Sequence, residues 1–279
     1  AGLTSNQANS LTTVQVKALT TAQVKALETA DFDALATKTV AALTTAQVKV
    51  LTTAQVEGLT SDQAKSLTTT QVRALTTAQV KALETADFDA LATKTVAALT
   101  TAQVKALTTD QLGTLDSDEI VALTTSQVAA LTTAQIEGLA TAQMGGLTTA
   151  QVSELTTVQI QALQTADLAA LSTTAVAAFT TAQIASITSA QAAGLTTAEI
   201  SALSMTQVAA FSASTIGAMS TAQVNALAAV SPIILDLNGD GVTTLSVGQG
   251  VSFDLAANGT ARQTGWVAAT DGLLVRDLN

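Results

Sequence analysis

From Leu3 to Ala226 the chain parses without insertion or deletion into 28 octads of the form L-T-T-A-Q-V-K-A, as in Leu19–Ala26 and Leu75–Ala82. An unbroken eight-residue register restricts the fold more than any other feature, because every unit must meet the same neighbours in the same way. Position one is Leu in 24 octads and otherwise Phe179, Ile187, Phe211 or Met219, and position six is apolar in all 28. These two positions are the expected core. Position eight is Ala, Gly or Ser in 25 octads, which predicts a sharp turn or a close approach of backbones there, while the variable position seven faces water.

A single long helix is incompatible with this period. At about 100° per residue, eight residues advance the apolar stripe by about 80° per repeat, so no fixed face forms. Read as a short helix, each octad instead contains its own start signal. In Leu19-Thr20-Thr21-Ala22-Gln23-Val24 the Thr20 hydroxyl can accept from the Gln23 amide, Gln23 can reach back to the Thr20 amide, and Leu19 can pack on Val24. That is a capping box with a hydrophobic staple. Position three is Ser or Thr in 26 octads against 22 with Ser, Thr or Asp at position two, which leaves open a cap one residue later. Helices of one or two turns do not persist alone, so stacking of successive units must stabilise them.

The expected fold is therefore mostly α: an α-solenoid of short helices over residues 1–230, followed by a small β-rich segment over 231–279. With two octads per coil the repeats would give fourteen coils and a rod on the order of 130 Å. The alternative is a β-solenoid, since Thr, Val and Leu favour strands; the Ala, Gln and Lys content and the lack of regular Gly, Asn or Asp turns argue against it. The more polar first octad, Leu3–Ser10, reads as a terminal cap or frayed end. Residues 19–49 recur identically at 75–105, and copying of this kind suits a spacer better than a catalytic site.

Composition excludes several chemistries. Without Cys or His there is no disulfide, thiolate nucleophile, imidazole base or imidazole metal ligand. Within the repeat Glu28, Asp31 and Asp33 and their copies Glu84, Asp87 and Asp89 form acidic clusters. They lack pocket-forming aromatics, and Asp31 and Asp87 fit as acids favoured at a helix N-terminus, so no enzyme is expected. The net charge of -10, with nine of eleven basic residues before Ala106, argues against nucleic acid. No apolar run reaches the roughly 18 residues a membrane span needs. The chain opens Ala1-Gly2-Leu3 without Met or a charged-then-apolar leader, and reads as a fragment of something longer or as a chain from which a signal was removed. Few charges and ends open to contact leave end-to-end self-association as an expectation.

The register breaks at Ser231-Pro232, followed by the apolar strand candidate Ile233-Ile234-Leu235 and then Asp236-Leu237-Asn238-Gly239-Asp240-Gly241. This D-x-N-x-D-G pattern can bring the side-chain oxygens of Asp236, Asn238 and Asp240 onto a hard cation, with Val242 supplying a carbonyl. The twelfth position is Val247 where an EF-hand has a bidentate Glu, so a standard EF-hand is not expected. An ion-free turn rich in Asp, Asn and Gly is the alternative.

Residues 232–279 as a whole resemble a module of large bacterial secreted proteins of the RTX type, P-x-x-L-D-x-[DN]-G-D-G, then F-D, T-G-W-V and D-G-L-L-V-x-D. The matches are Pro232–Gly241, Phe253-Asp254, Thr264–Val267 and Asp271–Asp277. The resemblance implies calcium binding and export by a type I route, hence a secreted or cell-surface location. In that family the last strand runs into a second acidic loop, whereas here the sequence ends Asp277-Leu278-Asn279 and reads as cut within the motif; Asp254–Gly259 is also poorer in acids than the family's loop. The octads themselves resemble Thr/Ala/Gln-rich repeats of giant surface proteins and adhesins. The functional expectation is a structural spacer, stalk or adhesin segment with calcium ordering its C-terminal module. The alternative is a surface-recognition module presenting Thr rows to ice or polysaccharide.

Overall fold

A computed structural model describes residues 3–230 continuously, together with four strand pieces of the C-terminal segment. The repeats form a mostly helical, solenoid-like stack in which 27 octads each contain one short α-helix. The remaining one, Ile187–Gly194, makes a turn of 3-10 helix over Ala192–Gly194. A typical unit is helix Thr101–Ala106: Thr100 is the N-cap in extended conformation (φ -75°, ψ 158°), its hydroxyl accepts from the Gln103 amide at 3.2 Å, and Gln103 Oε1 accepts from the Thr100 amide at 2.7 Å. The cap thus sits at position two of the octad, which resolves the register the sequence left open. Restarting the helix every eight residues turns the chain at each corner.

Three octads, not two, make one coil. Each helix packs against the helices three units before and after it, as Thr77–Ala82 does against Thr53–Glu57 and Thr101–Ala106. The 28 octads therefore give a little over nine coils rather than fourteen. At about 9 to 10 Å per layer of helices the repeat region is on the order of 90 Å long. Two corners per coil would have to reverse the chain, whereas three corners let each short helix form one side of a closed layer.

The core runs through the inside of this stack as one continuous cluster of position-one and position-six residues. Val24, Val48, Val72, Val104, Val128 and Val152 are completely buried, and the position-one leucines from Leu35 to Leu203 are nearly so. Removing such side chains from water is the main stabilising contribution, at about 1.5 to 3 kcal/mol each. Position eight is small for a local steric reason best seen at Gly194, where a Cβ would run into the Thr165 carbonyl of the coil below.

Within residues 231–279, β1 (Ile233–Asp236) pairs antiparallel with β4 (Asp271–Leu274), and β2 (Ser252–Phe253) with β3 (Arg262–Gln263). These short pairings do not by themselves amount to the β-rich segment expected from the sequence. Among the described residues, no helix is long and apolar enough to cross a membrane.

Candidate functional site

The most organised polar feature is a ladder of glutamines inside the stack. From Asp31 onward position five is nearly fully buried, which is unusual for Gln, and each buried polar atom needs a partner. Oε1 is taken by the N-cap amide of its own octad. Nε2 points to the coil below, where it donates to carbonyls at the equivalent corner, three octads earlier. Gln151 Nε2 lies 2.8 Å from the Ile120 carbonyl and 2.7 Å from that of Leu123, 31 and 28 residues earlier. Sixteen glutamines repeat the contact to the position-one carbonyl, at 2.6 to 3.0 Å. One side chain thus satisfies the start of one helix and the end of another. The capping box predicted the first half of this and missed the second. A signal for it was present: a capping box works with Glu or Gln, yet position five is Gln in 19 octads and Glu in two.

Five of the nine exceptions keep the link to the coil below by other means. Asp31, Asp87 and Asp167 accept from the hydroxyls of Ser5, Ser61 and Thr141 at 3.0, 2.7 and 3.3 Å. Thr39 and Thr215 donate to the Leu11 and Ile187 carbonyls at 3.1 and 2.7 Å. Thr95, the copy of Thr39, has its hydroxyl buried without a partner. Glu119 and Glu199 accept from the amides of Asp116 and Thr196 at 3.2 and 2.6 Å, but an ionised carboxylate has nothing to donate downward. Burial pushes both carboxyls above the usual range, and at Glu119 the nearby Asp116 and Asp89 add to it, against the opposing hydrogen bonds from the caps.

The acidic clusters singled out in the sequence are thereby placed. Glu28 and Glu84 occupy N-cap positions without making a side-chain cap, and Asp31 and Asp87 belong to the ladder. Asp33 is half-buried with Oδ1 unpartnered, and burial raises its pKa. It packs against Gly58, where an added Cβ would lie 2.6 Å from Asp33 Oδ1. In the copy the equivalent residues are Asp89 and Thr114, and Asp89 is exposed in an open groove of about 530 Å³ that also holds Asp62, Lys65, Asp116 and Glu119. Among the described residues no group of acids converges on a position that could hold a metal ion.

Of the expected calcium ligands, Asp236 closes β1 and pairs in register with Asp271 of β4. Asn238, Asp240 and Val242 lie outside the described residues. On the outer surface, position three of one side of the stack carries Ser5 in the first coil and then Thr in nine successive ones: Thr29, Thr53, Thr77, Thr101, Thr125, Thr149, Thr173, Thr197 and Thr221. The cap hydroxyls at position two are engaged by the ladder, whereas this file faces outward.

Comparison with known proteins agrees with this periodic architecture. The family model described as the ALTTAQ repeat matches four times, at residues 24–61, 80–117, 120–157 and 160–197, together more than half of the chain. The chain belongs to the ALTTAQ repeat family. A second model, the SPM domain, matches residues 233–279, and so begins where the ALTTAQ octads have ended. Among curated proteins, the iron-regulated protein FrpA of Neisseria meningitidis serogroup C is 52% identical over 50 residues, which are 17% of this chain and 4% of FrpA. The chain thus covers only a small fraction of that relative's length.

Proposed function

We propose that the chain is a structural spacer, stalk or adhesin segment of a secreted or cell-surface bacterial protein, with a calcium-ordered module over residues 231–279. The observation that carries the first half is the ladder. The buried polar groups of the coils face one another, so the repeats are built to hold coils at fixed spacing, and what this encodes is length. The second half rests on donor chemistry: Asp236, Asn238 and Asp240 are hard oxygen ligands at alternate positions, Val242 adds a carbonyl, and Asp271 lies across from Asp236. Calcium would neutralise these carboxylates and link Asp236 to Asn238 and Asp240, coupling ion binding to order. Titrating calcium while following the fluorescence of Trp266 tests this. Saturable change that Asp236→Ala and Asp240→Ala abolish is expected; an unchanged spectrum at millimolar calcium overturns the calcium reading and leaves the spacer reading standing.

A second reading is favoured by the uninterrupted outward Thr file on one side of the stack, a regular hydroxyl array of the kind that could face ice or polysaccharide. Absence of ice-recrystallisation inhibition at micromolar protein would remove the ice version, and Thr101→Lys with Thr125→Lys should abolish any inhibition that is seen.

A further inference from the structure

We propose that the groove beside Glu119 binds a linear aliphatic polyamine, one ammonium group of which takes the place that the glutamine amide holds elsewhere in the ladder. In the neighbouring coils Gln143 and Gln151 donate through Nε2 to the Leu115 and Leu123 carbonyls, 28 residues earlier. In the octad Leu115–Ala122 the corresponding residue is Glu119, only 6% exposed. One carboxylate oxygen accepts from the Asp116 amide at 3.2 Å, as Gln Oε1 does at its own cap. The other stands in the amide's place, toward the Leu91 carbonyl of the coil below, and among the described residues neither of these oxygens receives a hydrogen bond. A buried carboxylate oxygen set against a buried carbonyl is a repulsive pair, and a cation that carries N–H donors relieves it.

The surroundings select the kind of cation. The groove, of about 530 Å³, crosses three coils, with Asp62 in the lowest, Asp89 in the middle one and Asp116 with Glu119 in the uppermost, and the three aspartates are exposed. At about 9 to 10 Å per layer these carboxylates are strung out in a row. A metal ion needs its ligands gathered around one point, and among the described residues no group of acids converges in that way. A chain of ammonium groups separated by methylenes carries its charges in a row as well, and Ala90 and Ala92, which also line the groove, offer its stem apolar contact. Lys65 follows Asp62 by three residues on one helix and offsets it, which leaves Asp89, Asp116 and Glu119 as the net charge of the site.

The chain contains its own control. Glu199 occupies the same octad position, toward the Leu171 carbonyl. Where the groove has Asp62, Lys65, Asp89 and Asp116, however, the equivalent residues are Ala142, Gly145, Ala169 and Thr196. Glu199 shares the buried carboxylate and lacks the row of acids.

The test titrates the full chain with spermidine at pH 7 in calcium-free buffer and follows the backbone amide NMR signals of Leu91, Ala92 and Glu119, which separates this site from the acids of residues 231–279. Saturable shifts are expected. Glu119→Gln should weaken binding about tenfold, the loss of a charge-assisted hydrogen bond, and Asp89→Ala about threefold, while Glu199→Gln leaves it unchanged. Gln is the residue the ladder carries at this position and Ala is frequent at position seven, so both variants keep the fold. Propylamine, with a single charge, should bind about threefold or more weakly than spermidine. Signals that do not move, a Glu119→Gln protein that binds spermidine as the parent does, or propylamine that matches spermidine overturns the proposal. So does calcium that saturates the same signals at lower concentration than spermidine, since the groove would then be a metal site. The response of Trp266 to calcium bears on the C-terminal module alone and decides none of these outcomes.

Discussion

Gln151→Glu separates the two tasks of the ladder. Glu has the same length and keeps an oxygen to accept from the Thr148 amide, now 2.8 Å from Gln151 Oε1, so the helix start is preserved. What is lost is donation from Nε2 to the carbonyls of Ile120 and Leu123. The Ile120 carbonyl still accepts from the Leu123 amide at 3.3 Å, so the Leu123 carbonyl is the buried acceptor left unsatisfied, which costs about 1 to 3 kcal/mol at neutral pH, with the facing carbonyl dipoles acting in the same sense. Thr148→Ala, which removes only the cap, should cost about 0.5 to 2 kcal/mol. The cost of the Glu is pH-dependent. Burial raises its pKa in the folded chain, as it does for Glu119 and Glu199, so the folded state binds the proton more tightly than the unfolded state. Stability then falls as pH rises between the unfolded and the folded pKa, and the penalty is largely gone below about pH 4, where the protonated carboxyl can donate as Gln does. Urea denaturation followed by circular dichroism at pH 7 and pH 4 measures this, with Gln15→Glu in the open first coil as a near-neutral control. A Gln151→Glu protein within about 0.5 kcal/mol of the parent at pH 7, or one whose deficit is the same at pH 4, refutes the reasoning.

The natural exceptions should behave as the reverse experiment: Glu119→Gln and Glu199→Gln each raise stability at pH 7, by about 1 to 3 kcal/mol for one restored buried acceptor, and lose the advantage toward pH 4. At Glu119 the size of the gain should also depend on Asp89, Asp116, Asp62 and Lys65, which share its groove. Gly194→Ala drives a methyl group into the Thr165 carbonyl and should cost about 1 to 3 kcal/mol, read from the denaturation midpoint, while Gly113→Ala, where a Cβ meets open space, should not destabilise. Small-angle scattering of residues 1–230 should give a particle on the order of 90 Å long; a length near 130 Å would mean two octads per coil.

The sequence by itself determined that the chain repeats, that each repeat begins a helix, and that positions one and six are core. These follow from local physics: a cap such as Thr100 needs only Gln103, three residues away, and the burial of Leu and Val follows from their side chains. The tertiary structure alone decided that a coil takes three octads, because coil size depends on the angle turned at each corner and on which distant helix is met, and neither leaves a local mark. For the same reason it alone gave the Gln side chain its second task. The partner of Gln151 Nε2 is 28 and 31 residues away, and no period shorter than the coil brings those groups together. The acids at Asp31 and Asp87 show the same division: their place near a helix start was legible from composition, but Ser5 and Ser61, which bind them, became neighbours only when one coil was laid on another.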